Sequence, residues 1–139
     1  MYLLDTNVIS ECRKCGGGDE GVQRFIRRTD RDQSPRFLSV ITLGELQRGV
    51  KVLRHRNDAR QAVLIEAWLE KLKRDYAREI LPVDQTICNV WARLRVPHSE
   101  HPIDKLIAAT ALVHRLVVVT RNVRDFSSTG VEVYNPFVH

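Results

Sequence analysis

The sequence predicts an α/β fold: a three-layer α/β/α sandwich on a mostly parallel five-stranded sheet. Short apolar runs at 2–4, 37–41, 80–83, 116–120 and 131–134 alternate with longer stretches whose apolar residues recur every three or four positions. Leu116-Val117-Val118-Val119-Thr120 is apolar without alternation, as a strand covered on both faces must be. With 139 residues, 43% hydrophobic and 28% charged, the chain has the size and composition of a single domain, 1–139.

Taken in order, Tyr2-Leu3-Leu4 ends at Asp5-Thr6-Asn7, and Val8-Ile9 with Ser10-Glu11 opens a helix. Gly16-Gly17-Gly18 breaks it, and Val22, Phe25 and Ile26 then mark a second, basic amphipathic helix that stops before Asp32-Gln33-Ser34-Pro35. Phe37–Ile41 predicts the second strand, with Thr42 capping a helix striped by Leu43, Leu46, Val50 and Leu53 and carrying Glu45 in its first turn. From Asn57-Asp58 a further helix keeps Ala62, Ile65, Leu69 and Leu72 in phase. Two helices between strands predict a hairpin inserted in the core. After the strand at 80–83, Asp84 or Thr86 caps a helix through Val90, Trp91 and Leu94 that ends near Pro97. His101-Pro102-Ile103-Asp104 then opens a helix so apolar from Leu106 to Val113 that burial is expected all round, and 131–134 supplies the edge strand.

Lys and Arg number 22 against 17 acids, a net charge of +5 that suits a polyanionic partner. No apolar run nears the roughly 18 residues of a membrane span, and Met1-Tyr2-Leu3-Leu4-Asp5 has no basic and long apolar leader pattern, which predicts a cytoplasmic location. Three cysteines there are expected as thiols.

Ligands of open parallel sheets collect at the carboxyl ends of the strands. Asp5 ends the first strand, Glu45 follows the second, Asp104 heads the helix leading into 116–120, and Asn122 and Asp125 follow that strand. Taken singly, each acid is accounted for as a helix cap or a partner of the helix dipole. Together on a packed rim they would repel, and a hard divalent cation would remove the repulsion. Oxygen ligands without Cys or His suit Mg²⁺ or Mn²⁺.

Four ordered segments, Leu3-Leu4-Asp5-Thr6-Asn7-Val8-Ile9-Ser10, Ser39 to Gly49 around Glu45, Asp104-Lys105-Leu106-Ile107-Ala108-Ala109-Thr110-Ala111, and Val119-Thr120-Arg121-Asn122-Val123-Arg124-Asp125-Phe126, closely resemble a PIN-domain ribonuclease of the VapC/FitB toxin type. The tail, Gly130 to Phe137, has the same look, so the resemblance spans essentially the whole chain. It implies a metal-dependent endoribonuclease, the toxin of a type II toxin–antitoxin pair, with Asp5, Glu45 and Asp104 as metal ligands. It also implies a cognate antitoxin, an RNA substrate, a homodimer, and contact with DNA only through the antitoxin. Where relatives often carry a fourth acid, this chain has Asn122, which coordinates without charge, so Asp125 is the alternative donor. Thr6 and Thr120 are expected to orient carboxylates. In-line attack by water would leave a 5′-phosphate and a 3′-hydroxyl, with Arg13, Arg48, Arg121 and Arg124 as candidate phosphate contacts.

Rival readings are weaker. A catalytically weak RNA-binding or assembly module with a vestigial acidic site is favoured only by Asn122. A phosphatase with an Asp-x-Asp site lacks its second acid, since Asn7 stands there. Cys12-x-x-Cys15 and His98-x-x-His101 have the residue types of a zinc site, but more than eighty residues separate the pairs. Cys88 with Trp91 predicts core or interface packing, and Leu64, Trp68, Leu69, Leu72, Tyr76 and Trp91 are candidates for an exposed partner surface.

Overall fold

The computed structural model describes residues 1–14 and 17–137. Its elements are β1 (Tyr2–Leu4), α1 (Thr6–Cys12), α2 (Glu20–Arg31), β2 (Arg36–Ser39), α3 (Val40–His55), α4 (Ala59–Asp75), β3 (Ile80–Leu81), α5 (Gln85–Leu94), α6 (Pro102–His114), β4 (Val117–Val119), a 3-10 turn (Val123–Phe126) and β5 (Val133–Tyr134). The strands lie in the order β3-β2-β1-β4-β5, and every neighbouring pair is parallel. The expected five-stranded α/β architecture is present, with β5 at one edge as predicted and β1 in the middle.

Strand alternation divides the core in two. Leu4, Leu38 and Val119 face a cluster with Val8, Ile9, Val22, Phe25, Leu69 and Leu72, drawn from α1, α2 and α4. Leu3 and Val118 face the opposite cluster with Ile107, Ala108, Ala111 and Phe126, drawn from α6 and the 3-10 turn. Successive residues of one strand thus bury against different helical layers. The inserted hairpin is α3 and α4, closed at its outer end by an Arg54–Glu66 ion pair.

Several local expectations change. Ser39, not Thr42, caps α3: its hydroxyl accepts from the Ile41 N–H at 3.1 Å. The β-branched Val40-Ile41 pair has strand propensity, yet a capped helix that packs beside β2 overrides it. Glu45 therefore lies in the second turn of α3 rather than the first. Asp84 is the cap of α5, accepting from the Ile87 N–H at 2.9 Å, and Thr86 is exposed. Cys88 is exposed, which removes the core reading of that position. Leu69 and Leu72 are buried in the first cluster, so of the proposed surface set Leu64 is the strongly exposed leucine. The α6 helix is buried from Ile107 to Ala111 while Ile103 and Leu112 reach the surface. Among the described residues no helix is long and apolar enough to cross a membrane.

The α1–α2 connection is pinned by Glu11, which accepts from the Asp19 N–H at 2.7 Å and from Lys14 Nζ at 3.0 Å. Gly18 is required there, because a Cβ would stand 2.9 Å from the Glu11 carbonyl oxygen.

Candidate active site

The strand order changes direction at β1: the chain winds outward through β2 and β3, then returns to place β4 on the other side of β1. Connections leaving β1 and β4 consequently pass to opposite faces and leave a crevice between their carboxyl ends. Asp5 is the first residue beyond β1, and Thr120 the first beyond β4. The cleft there, of about 360 Å³, is lined by Asp5, Thr6, Asn7, Glu45, Ile103, Asp104 and Asn122.

Asp5 is buried at 5% exposure and tightly held. Its Oδ1 accepts from the Thr6 N–H at 2.8 Å, and its Oδ2 accepts from Thr120 Oγ1 at 2.8 Å. Thr120 Oγ1 in turn accepts from the Asn122 N–H at 3.0 Å and from Asn7 Nδ2 at 3.2 Å. Asn7 Oδ1 accepts from the Arg121 N–H at 3.1 Å, so one side chain stitches the start of α1 to the loop after β4. The Asp5 backbone N–H donates to the Val119 carbonyl at 3.0 Å, locking the carboxylate to both central strands.

Asp104 enters from the first turn of α6, where Pro102 takes the first helical position and needs no N–H partner. His101, preceding it, adopts the left-handed conformation with φ 54°. That places His101 Nδ1 3.9 Å from Asp104 and Nε2 3.8 Å from Asp125. Lys105, 1% exposed, donates through Nζ to the His98 carbonyl and ties the incoming loop to α6.

Burial dominates the electrostatics of Asp5 and Asp104, and the charges of neighbouring carboxylates add to it. Desolvation raises the Asp104 pKa to about 6, reinforced by the charges of Asp5 and Asp125 and opposed by His101. Asp5 is also raised, first by burial, with Asp125 and Glu45 adding to the shift and the bonds from Thr120 and Thr6 opposing it. Among the described residues no Lys or Arg forms an ion pair with Asp5, Glu45, Asp104 or Asp125. Carboxylates that hinder one another's ionisation in this way, with no fixed cation between them, are a donor set that fits a hard divalent metal.

Asp5, Glu45, Asp104 and Asn122, scattered through the sequence, meet in this cleft. Asp125 lies beside it, in an adjoining hollow with His98, His101, Lys105 and Arg124. The tightest set of potential donors is His101, Asp104 and Asp125, whose ligand atoms lie within 4.8 Å of one another. His101 was missed as a neighbour of the acids, because a His before a helical Pro carries no signal of its own beyond lying three residues from Asp104. Asn7, which the sequence shows as part of a motif and as the residue denying an Asp-x-Asp site its second acid, proves to be a bridge. The zinc reading fails for the described residues: His98 faces Glu100 and His101 faces acids, while Cys12 lines a hollow with Arg36 and Tyr76. Cys15 lies outside the described residues.

This topology and this cleft define a class of α/β protein with an acidic site at the sheet's switch point. The PIN domain family matches residues 2–132, and the chain belongs to it. More closely, the chain is 34% identical over 142 residues to Toxin FitB of Neisseria gonorrhoeae, covering 99% of each. It is 29% identical to VapC ribonuclease Y4jK of Sinorhizobium fredii over 143 residues, covering 99% of this chain and 98% of the relative. Among solved structures, FitAcB from Neisseria gonorrhoeae aligns with a TM-score of 0.81 at 33% identity, covering 98% of each chain. A toxin–antitoxin complex from Klebsiella pneumoniae aligns at 0.63 with 25% identity, covering 100% of each. The resemblance read from the four motifs is borne out.

Proposed function

We propose that this protein is a divalent-metal-dependent endoribonuclease acting as the toxin of a type II toxin–antitoxin pair. The observation that carries the reading is the convergence of Asp5, Glu45 and Asp104, from three separate segments, on one cleft that holds no balancing Lys or Arg. In this reading Asp5, Glu45 and Asp104 hold Mg²⁺ or Mn²⁺, with Asn122 or Asp125 as the further donor. A cation bound there would polarise an attacking water and neutralise charge on the phosphodiester oxygens. Thr120 through its hydroxyl, and Thr6 through its backbone N–H and not the expected hydroxyl, fix the two oxygens of Asp5, so that its orientation is set before any ligand arrives. Asn7 holds the loop carrying Asn122 against α1. His101, in the adjoining hollow, lies 3.9 Å from Asp104 and 3.8 Å from Asp125 and so links the two carboxylates.

The toxin name of one relative and the toxin–antitoxin complex among the solved structures support a cognate antitoxin as partner. A homodimer in the cytoplasm, meeting DNA through that antitoxin, completes the proposal. A second reading, an RNA-binding module with little catalysis, is favoured by one observation: neutral Asn122 lies where the cleft would gain from another charge.

Purified wild-type and Asp5→Asn protein, incubated with total cellular RNA and Mg²⁺, Mn²⁺ or EDTA, separate these readings. Discrete metal-dependent cuts with 5′-phosphate ends, absent in the variant, are expected. A folded, antitoxin-free wild type that cuts nothing with either metal would overturn the ribonuclease reading.

A further inference from the structure

Four arginines share one stripe of α2, a helix that also carries Glu20 and Asp30 and is flanked by Asp19 and Asp32. On α2, Arg24, Arg27, Arg28 and Arg31 follow the i, i+3, i+4, i+7 spacing of one helical stripe and are all exposed. They line an open groove of about 640 Å³ with Gly21, Phe25, Tyr134 and Pro136. Among the described residues Arg24, Arg27 and Arg28 have no carboxylate partner, and Arg31 has an exposed one, Asp32, at 3.1 Å. The Arg28 guanidinium stacks 5.5 Å from the Tyr134 ring and 5.6 Å from Phe25, and Tyr134 keeps 36% of its surface exposed.

Only the Tyr134 end of the groove lies on the carboxyl rim that carries the acidic cleft; toward Arg31 the groove runs to the amino end of the sheet, where Ile26, Thr29 and Asp30 meet Arg36. Tyr134 ends β5, and its carbonyl accepts from the Thr120 N–H at 3.0 Å. The hydroxyl of that same threonine bonds Asp5 at 2.8 Å. Between them, Arg121 binds Asn7 through its backbone while its guanidinium lies 4.0 Å from the Phe137 ring, beside Pro136.

We propose that the α2 arginine stripe and Tyr134 form a docking track for single-stranded RNA, holding the strand flanking the bond presented to the acidic cleft. The inference rests on the ribonuclease reading and names where its substrate lies outside the cleft. The Arg24 and Arg27 guanidinium groups, without a carboxylate partner among the described residues, attract successive phosphates, while the exposed part of Tyr134 beside Arg28 offers a base a sequence-tolerant contact. An acidic peptide would satisfy the arginines but would make no use of the stacking face. The Tyr134 end, whose carbonyl is bonded by the threonine that also holds Asp5, likewise favours the polymer whose backbone would be cut at the cleft.

The test uses the full chain carrying Asp5→Asn in EDTA, so that no cleavage intervenes, with a labelled single-stranded RNA of about 20 nucleotides followed by anisotropy across KCl concentration. Replacing Arg24, Arg27 and Arg31 together by Gln is expected to weaken binding about 10-fold or more and to flatten the slope of log affinity against log salt by about 2, at roughly 0.7 per lost phosphate contact. Tyr134→Ala is expected to weaken binding several-fold with the slope unchanged, which separates stacking from charge. Thermal melts check each fold; should the triple variant fail to fold, Arg24→Gln with Arg27→Gln, at exposed positions without ion pairs, answers the same question. Unchanged affinity and slope overturn the proposal, as does absence of RNA binding by the parent. So does loss of binding to a polyglutamate peptide with RNA binding retained, which would assign the groove to an acidic protein. Because the assay needs no turnover, a wild type that cuts no RNA defeats the ribonuclease reading while the slope still decides the track.

Discussion

The two ends of the sheet treat buried charge in opposite ways. At the amino end, Arg36 opens β2 and is half-buried, but it donates to Asp30 at 2.7 Å, to Tyr76 Oη at 3.3 Å, to Thr29 Oγ1 and to the Ile26 carbonyl. Burial opposes its charge, and these partners more than offset that, holding its pKa above the ordinary value. At the carboxyl end, Asp5 and Asp104 are desolvated beside further carboxylates, and both pKa values are raised. A fold selected for stability alone would pair both ends. Charge left uncompensated at one end only, in a cleft, marks where a ligand is meant to supply the balance.

The sharpest way to break this contrast is to neutralise each end in turn. Asp104→Asn is expected to lower RNA cleavage on the order of 10²–10³-fold or more while leaving the metal-free melting temperature unchanged or raised, because a repelling buried charge is gone. Arg36→Met is expected to do the reverse: urea unfolding should show a loss of about 1–3 kcal/mol, since Tyr76 and Thr29 lose a buried partner, with cleavage kept by the folded fraction. A destabilised Asp104→Asn protein would instead assign that carboxylate a structural, helix-capping role.

Next in size is Thr120→Val, which removes the hydroxyl donated to Asp5 and the acceptor of the Asn122 and Asn7 groups. Cleavage is expected to fall about 10-fold or more, with metal affinity weakened in a calorimetric titration, as for other residues that orient metal ligands.

The pH dependence follows from signs. Asp104 has a folded pKa of about 6 against the ordinary 3.8 of an aspartate, so between these values the folded chain binds more protons than the unfolded one. Metal-free stability contributed by this group is therefore highest below about 3.8, falls as pH rises, and reaches its floor above about 6. The difference between wild-type and Asp104→Asn unfolding curves isolates it, and saturating Mg²⁺ should flatten that difference by favouring the ionised form. The smallest effect expected is from Asn122→Asp, a several-fold gain in Mg²⁺ affinity from one added charge in the cleft. No gain there, with a loss in Asp125→Ala, would place the further donor at Asp125.

The acids that meet at the candidate site were legible from their strand-end and helix-start positions after β1, at the start of α6 and after β4, while Glu45, in the second turn of α3, was legible only from the motif around it. The motifs around them ordered the set. His101 was not legible as their neighbour, since its position depends on a left-handed backbone angle and on how the 3-10 turn carrying Asp125 packs against α6. Thr42 misled because threonine is a good cap wherever it stands, yet Ser39 has already capped the helix three residues earlier, and Thr42 is buried within its first turn. Cys88 misled in the same manner: proximity to Trp91 on a helix says nothing of which face the sheet covers.

Element types, the parallel sheet and the identity of the acids follow from local patterns, because periodicity and capping are properties of a few neighbouring residues. Strand order, the burial of Asp5 and the raised pKa values of Asp5 and Asp104 come from assembly. They depend on segments more than a hundred residues apart, such as Asp5 with Thr120, being brought within hydrogen-bond distance by the packing of two helical layers on one sheet.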